Sequence, residues 1–449
     1  MRTFLSHLRE KLRGSFWFIP GMCGVLSVAF AQGLLHVDAD IRNEIVTSLP
    51  YLSSSSAEGV RSVLSTIGTS MLTLAGLTFS ATLVALTLTS GQLGPRLLRN
   101  FIRSRLNQLT LGVLLGTFIY SLIVLRRVSD DFIPHLSAFG GFLLALTGLC
   151  TFIVFVHSLV TSMQAEEIVA SVYGDLEKAL EKTFPEALPS DREEREAEKE
   201  SDGWEDFESE YCIDSIRAGY LQAIDLPSLV RLGEEFNLRF RVVKRPGQFI
   251  QTGTILVALS DQPDLDDDSI QRIENCFLIG RVRTAEQDFE YSIRQLVEVA
   301  LRALSPGIND PFTAITCIDF LSESMAKIAK RKLPQRVFRD EQGKARVMTR
   351  PASFRNTLDT AFIQIRQAGA DKPDVIISML EGFEGMAQSA LTSEQRQAIQ
   401  EQARIAAEDG LRHTSAEFDQ ECIEARLRDV LDSCDCEPSA DAEDDLRRD

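Results

Sequence analysis

The chain has 449 residues, of which 44% are hydrophobic and 25% charged, and its formal net charge is -18. This length is enough for two or three domains that each bury a core. The first 160 residues contain 12 Lys and Arg against 7 Asp and Glu, so the acidic excess lies entirely in the rest of the chain. An acidic soluble region lacks the basic face that nucleic-acid recognition requires, and we expect no nucleic-acid partner.

The sequence contains no motif that is characteristic of a particular enzymatic reaction. Its eight cysteines are scattered without a CxxC pair, which favours a reducing compartment for the soluble part. Its five histidines have no partner at metal-ligand spacing, and it has no P-loop, Rossmann glycine set, HExxH or GxSxG. We therefore predict that the protein is not an enzyme, with no catalytic residue, metal site or cofactor.

Four apolar segments approach the roughly 20 residues that a helix needs to cross a bilayer. They cover residues 16–35, 64–89, 106–125 and 136–160. Eight Lys and Arg lie before the first span or between the second and third, against four in the other two loops. By the positive-inside rule, both termini face the cytoplasm. A signal-peptide cleavage site at residues 29–31 is an open alternative for the first segment.

The second span is rich in hydroxyl side chains. Thr66, Thr73, Ser80 and Thr87 recur every seven residues, and Thr69 lies close to them on the same helix face. In one interpretation these residues pack against another helix and bond to their own i−4 carbonyls. In the other, several copies of this helix surround a water-filled pore, and the five residues line it.

A basic stretch follows the second span. Gly94 and Pro95 end the span. The short helix predicted after them has an apolar side with four arginines around it. They are Arg96, Arg99, Arg103 and Arg105. Such a helix is typical of the headgroup layer, where arginines bind lipid phosphates. If the second span lines a pore, the same arginines would surround its inner mouth.

The remaining chain is predicted in four parts. Residues 163–210 form a helical extension of the fourth span and an acidic linker. Residues 211–285 form a small β-rich module, which we expect to be barrel-like because "RPGQFIQTG" is similar to a turn of biotinyl and lipoyl carrier domains. Residues 286–433 form a helical module, and residues 434–449 a disordered tail. The module lacks the Met-Lys pair that a carrier would modify.

The segment "LRALSPGINDPFTAI" brings Ser305, Asn309 and Asp310 into one turn between two helices. The first helix should end at Leu304, Gly307 should take the left-handed conformation, and Asp310 should cap the helix that starts at Pro311. We therefore predict a structural turn. Contact with a ligand or another subunit is the alternative, and catalysis is less expected still.

Three segments carry a family resemblance: "GQLGPRLLRNF", "RPGQFIQTG" and "RTAEQDFEYSIRQLVEVALRALSPGINDPFTA". Together with the order of four spans, they resemble the predicted bacterial membrane proteins grouped as domain of unknown function 2254. The resemblance covers nearly the whole chain and implies a multi-pass inner-membrane protein with a cytoplasmic C-terminal region. It implies no reaction, so it assigns no site residue.

We accordingly expect a mainly α membrane protein with residues 1–162 as a four-helix transmembrane domain and an α+β cytoplasmic region. The preferred functional hypothesis is a homo-oligomer, in contact with membrane lipids, that forms a channel or conduit for ions or small solutes, with the cytoplasmic region as vestibule or gate. The alternative is a non-conducting scaffold or sensor whose cytoplasmic region binds an unidentified protein or small ligand.

Overall fold

The computed structural model describes residues 17–40, 56–93, 105–130, 132–161, 165–184, 211–260, 265–331, 334, 336–350 and 352–435. The chain forms two compact units, which are treated separately below. The first, Met1–Glu167, is called the membrane unit, and the second, Ile168–Asp449, the C-terminal unit.

The described part of the membrane unit contains four long apolar helices. They are α1 (Phe18–Asp40), α2 (Ala57–Leu93), α3 (Arg105–Arg127) and α4 (His135–Thr161). Each is long and apolar enough to cross a membrane, which confirms the prediction of four such helices. Helix α1 continues past the predicted span and α2 begins before it, because hydropathy marks the part that crosses hydrocarbon and not the end of the helix.

Helix α3 is the centre of the membrane unit. In its most apolar window 56% of the residues are buried, against 17% to 22% in the other three helices. A Cβ atom added at Gly112 would lie 2.9 Å from Cys23 Sγ, and one at Gly116 would lie 2.5 Å from Ser27 Oγ. The small residues of "GVLLG" therefore allow α3 and α1 to approach closely within one chain.

Polar groups join α1, α3 and α4 at one end of the membrane unit. The Asp38 carboxylate accepts hydrogen bonds from the backbone N–H groups of Leu136 (3.0 Å) and Ser137 (2.8 Å) and from Ser137 Oγ. The hydroxyl of the buried Tyr120 donates to the Ser137 carbonyl oxygen at 2.7 Å. A carboxylate at a helix N-terminus satisfies free N–H groups and suits the helix dipole, so this network stabilises the start of α4.

The described residues of the C-terminal unit include eight strands. They are β1 (Tyr211–Asp214), β2 (Gly219–Ile224), β3 (Phe240–Val242), β4 (Phe249–Ile250), β5 (Ile255–Leu259), β6 (Phe277–Gly280), β7 (Val337–Arg339) and β8 (Ala345–Met348). Five form a sheet in the order β1-β5-β3-β8-β7, and three form a second sheet in the order β4-β2-β6. These described strands form no closed barrel, so the predicted barrel-like form is not confirmed.

The β7–β8 hairpin comes from the stretch that the sequence assigns to the helical module. Strand β8 pairs in parallel with β3, with Phe240 opposite Val347. Both side chains are fully buried. The five-stranded sheet is thus built from two parts of the chain that are far apart in sequence.

Nine helices complete the described part of the C-terminal unit. They are α5 (Ala165–Thr183), α6 (Leu226–Glu235), α7 (Asp267–Glu274), α8 (Phe289–Ala303), α9 (Pro311–Ala329), α10 (Phe354–Gly369), α11 (Pro373–Ser389), α12 (Ser393–His413) and α13 (Glu417–Asp435). Asp225 and Asp266 cap α6 and α7 through backbone N–H groups of Ser228 and Ser269. Helix α13 extends two residues into the predicted tail, and residues 436–449 lie outside the description.

Helix α5 is attached to α9 by an aromatic and ionic contact. The Tyr173 ring stacks on Phe320 with a centroid distance of 4.4 Å. Lys327 Nζ donates to the Tyr173 hydroxyl at 2.9 Å and forms an ion pair with Glu177. Burial of the apolar face of α5 against α9 explains why its sequence keeps a helical period outside the membrane spans.

Candidate functional site

The hydroxyl residues of α2 lie on the outer surface of the membrane unit. All five predicted pore-lining residues are exposed, namely Thr66, Thr69, Thr73, Ser80 and Thr87. The buried residues of α2 form a different stripe, which includes Val60, Leu64, Met71, Ala75 and Thr78. At about 100° per residue the two stripes lie on opposite sides of the helix.

A seam of mostly small residues runs along the exposed side of α2, next to exposed apolar residues such as Leu77 and Val84. Its members, spaced alternately by four and three residues, are Ser62, Thr66, Thr69, Thr73, Gly76, Ser80, Leu83 and Thr87, and every one is exposed. We call this set the α2 seam. A spacing of 4 and 3 is the heptad pattern by which two helices pack along their length, and small residues let their backbones approach.

Three hydroxyls of the seam donate hydrogen bonds within their own helix. Thr66 donates to the carbonyl oxygen of Ser62 at 2.8 Å, Thr73 to that of Thr69 at 2.9 Å, and Thr87 to that of Leu83 at 2.9 Å. Each hydroxyl proton is thereby used, while the oxygen can still accept a hydrogen bond from outside. The seam thus presents weak acceptors.

Only one of the four arginines of the predicted basic site lies among the described residues. Arg105 is the first residue of α3 and is exposed. Arg96, Arg99 and Arg103 lie outside the described residues, as does the start of the predicted basic helix.

The turn between α8 and α9 is held by its own backbone. The left-handed residue is Asn309, with φ 51°, so the assignment of that conformation to Gly307 was wrong. Asn309 N–H and Ile308 N–H both donate to the Ser305 carbonyl oxygen, at 2.9 and 3.1 Å. Asn tolerates this region because its short side chain can bond locally. Asp310 then caps α9 through Thr313 N–H at 3.2 Å and Thr313 Oγ1 at 2.5 Å.

Replacing Asp310 with Ala should lower the free energy of unfolding by roughly 1 kcal/mol, the usual effect of losing an N-cap. Thermal unfolding of the purified full chain in detergent measures this change, and Asp310→Asn should recover most of it. Loss of function in Asp310→Ala without any change in thermal unfolding would instead indicate that the carboxylate contacts a ligand or another subunit.

The C-terminal unit also contains a cavity of about 170 Å³ that the sequence analysis did not predict. Its walls come from the ends of α5 and β2, the turn before β4, the start of α8 and the segments flanking the β7–β8 hairpin. The lining residues are Thr183, Ile224, Leu226, Lys244, Arg245, Pro246, Gln287, Asp288, Phe289, Glu290, Pro334, Phe338, Thr349, Arg350 and Ala352. The lining therefore combines apolar side chains with five charged groups.

Two ion pairs form the floor of this cavity. Arg245 NH2 lies 2.8 Å from Glu290 Oε1, and the Glu290 side chain is 7% exposed. Arg283 contacts Asp288 Oδ2 through Nε at 2.8 Å and NH2 at 2.7 Å, and the Asp288 side chain is 3% exposed. Burial raises the pKa of Asp288, an effect that Arg283 opposes and Glu290 reinforces. Both carboxylates are thus bound to guanidinium groups.

Gly247 lies directly against the second pair. Its φ of +88° is in the region that residues with a Cβ rarely adopt, and a Cβ there would lie 2.2 Å from Asp288 Oδ2. Gln287, which precedes Asp288 in the chain, binds the residues before α8 to β2. Ile224 N–H donates to Gln287 Oε1 at 2.9 Å, and Gln287 Nε2 donates to the Ile224 carbonyl oxygen at 3.2 Å. The floor is therefore a rigid arrangement of backbone and paired charges.

The signal for this cavity was present in two of the segments that carry the family resemblance. "RPGQFIQTG" supplies Arg245 and Gly247, and "RTAEQDFEYSIRQ" supplies Arg283, Asp288 and Glu290. Each segment reads alone as a turn or a helix start. Only the fold brings Arg245 of the first segment together with Glu290 of the second.

A family model described as "Predicted membrane protein (DUF2254)" matches residues 13–384. The chain belongs to this family. An uncharacterized protein of Mycobacterium bovis and one of Mycobacterium tuberculosis are each 30% identical to it over 437 residues, which cover 94% of this chain and 82% of the relative. No solved structure matches the chain. The family match spans the α2 seam and nearly all described elements up to α11, and it includes every residue that lines the cavity.

Proposed function

We propose that this protein is a homo-oligomeric inner-membrane protein that forms a conduit for ions or small solutes. Copies of α2 would meet around a common axis through the α2 seam, with Arg96, Arg99, Arg103 and Arg105 at the inner mouth. The observation that carries the proposal is that the seam is exposed and lies opposite the side of α2 that packs on the other described helices of the membrane unit.

The composition of the seam supports self-association over simple contact with lipid. A lipid-facing surface gains nothing from hydroxyl groups, whereas small residues at heptad spacing favour close contact with another helix. The small-residue motif of α3 is already occupied by α1 within the chain. The α2 seam is therefore the surface that another copy would use.

The same seam can support a wetted axis. Hydroxyls whose protons are bound to i−4 carbonyls still offer oxygens to water, and a neutral polar wall lowers the barrier that a dry apolar constriction would impose. The positive-inside charge distribution supports an arrangement with both termini and the C-terminal unit in the cytoplasm, where that unit would act as vestibule or gate.

Ion flux tests this proposal directly. The purified full chain in liposomes should pass current, and Ser80→Leu should reduce it by roughly tenfold, the factor that about 1.4 kcal/mol of added barrier produces. Thr73→Val, which removes a hydroxyl at nearly constant volume, should reduce it less. The matched control is Thr147→Val, because Thr147 is an exposed threonine of α4 that also bonds to its i−4 carbonyl, at 2.9 Å.

Cross-linking supplies the oligomer control for that experiment. In a background with Cys23→Ser and Cys150→Ser, Ser80→Cys should form a disulfide between copies in the membrane. Phe79→Cys should not, because Phe79 is 41% exposed at nearly the same depth but about 100° away around the helix. A cross-linked oligomer that passes no current under voltage or tension would favour the non-conducting scaffold.

A further inference from the structure

We propose that the cavity of the C-terminal unit binds a small organic anion that has an apolar body and a single carboxylate or phosphate group. This site is separate from the α2 seam, and its occupancy does not depend on whether the membrane unit conducts.

The size of the cavity suits a ligand body of about one ring or a short chain. A cavity of about 150 Å³ holds a benzene molecule, and this one is about 170 Å³. Drug-sized ligands and nucleotides need pockets of roughly 300 Å³ or more. Ile224, Leu226, Phe289 and Phe338 supply apolar walls for such a body.

The charged groups of the cavity that form no described ion pair are positive and therefore favour an anionic ligand. Asp288 and Glu290 are each bound to a guanidinium group. Lys244 and Arg350 line the same cavity, and neither has an ion-pair partner among the described residues. A cationic ligand would meet two positive groups that form no ion pair within the described part of the chain, whereas an anion would neutralise them through charge-assisted hydrogen bonds.

Arg350, which lines the cavity, lies close to a further arginine, Arg241. Burial lowers the pKa of Arg241, and the positive charges of Arg350 and Arg239 lower it further. Arg241 therefore lies close enough to Arg350 and to Arg239 to be affected by their positive charges. Binding of an anion beside Arg350 would relieve part of that repulsion, so the same ligand should also stabilise the folded unit.

The cavity is bounded by groups that hold one another in place. Its floor is held by the two ion pairs, by the Gln287 bonds to β2, and by Gly247 in a conformation that leaves no room for a side chain. A preformed site loses little freedom when a ligand enters, and a small molecule can then bind measurably despite its few contacts.

Calorimetric titration of the full chain in detergent tests the proposal, with detergent alone as the blank. The probes are benzoate and phenyl phosphate, compared with the neutral benzyl alcohol and with inorganic phosphate. We expect benzoate, phenyl phosphate or both to bind and the other two to bind at least roughly tenfold more weakly. Whichever ring-bearing anion binds more tightly identifies the anionic group.

Variants then locate the binding. Lys244→Gln and Arg350→Gln should each weaken binding of the better anion by roughly tenfold. Arg404→Gln is the matched control, because Arg404 is an exposed residue of α12 that does not line the cavity. Equal binding of benzyl alcohol, no binding of any probe, or equal effects of Lys244→Gln and Arg404→Gln would each overturn the proposal. Unchanged thermal unfolding of the variants excludes loss of fold as the cause.

Discussion

Gly247→Ala should lower the free energy of unfolding of the C-terminal unit by about 3 to 5 kcal/mol. A residue with a Cβ at a φ of +88° is strained by about 1 to 3 kcal/mol. The new Cβ would also lie 2.2 Å from Asp288 Oδ2 and 2.6 Å from Arg283 NH2, and overpacking adds about 1 to 3 kcal/mol. Differential scanning calorimetry of the full chain should show a transition roughly 10 °C lower.

Gly253→Ala is the matched control for the steric part of this effect. Gly253 lies in the same segment at a φ of +82°, but a Cβ there would meet nothing within 4 Å. Gly253→Ala should lower the free energy of unfolding by only about 1 to 2 kcal/mol, which is the contribution of backbone strain alone. Equal losses in the two variants would show that Gly247 is needed for its φ alone and that the ion pair can move aside.

Arg283→Met should lower the free energy of unfolding by about 3 to 5 kcal/mol at neutral pH, because it leaves the Asp288 carboxylate buried without its guanidinium partner. The Asp288 side chain is 3% exposed, so water does not replace the lost contacts. Removing Arg283 should raise the pKa of Asp288 further above its usual value, since burial already raises it and Arg283 is the main opposing influence. Calorimetry at several pH values measures both effects.

The sign of the pH dependence follows from proton uptake. A folded-state pKa above the unfolded value of about 4 means that the folded chain holds a proton that the unfolded chain releases. Stability should therefore fall as pH rises from about 4 through the raised folded-state pKa, so Arg283→Met should differ less from the unmodified protein at pH 5 than at pH 8. Adding Asp288→Asn should remove this pH dependence, and its persistence in the double variant would assign it to another group.

Sequence patterns were sufficient for the parts of the fold whose signals are local. Hydropathy alone locates α1 to α4, because a run of about 20 apolar residues is compatible with few structures other than a membrane-spanning helix. The apolar spacing of Phe289, Ile293 and Leu296 likewise predicts α8, whose buried face contains all three. Asp310 before Pro311 marks the start of α9 for a similarly local reason.

Features that depend on pairing between distant segments could not be predicted in this way. The β7 and β8 strands are three and four residues long, too short for an alternating pattern to stand out. The cavity depends on Arg245 meeting Glu290 and on Lys244 and Arg350 lining one space, which only the tertiary fold decides. Even at the turn, the sequence could not choose Asn309 over Gly307, since both residue types tolerate left-handed φ.

The parallel pairing of β3 with β8 has a consequence for biosynthesis. Until residue 347 has left the ribosome, Phe240 lacks its partner strand and β3 exposes an unpaired edge. Contacts between residues so distant in sequence form slowly, because a long loop must close first. A nascent chain ending near residue 285 should therefore be prone to aggregation and be a substrate for chaperones, although it contains strands β1 to β6.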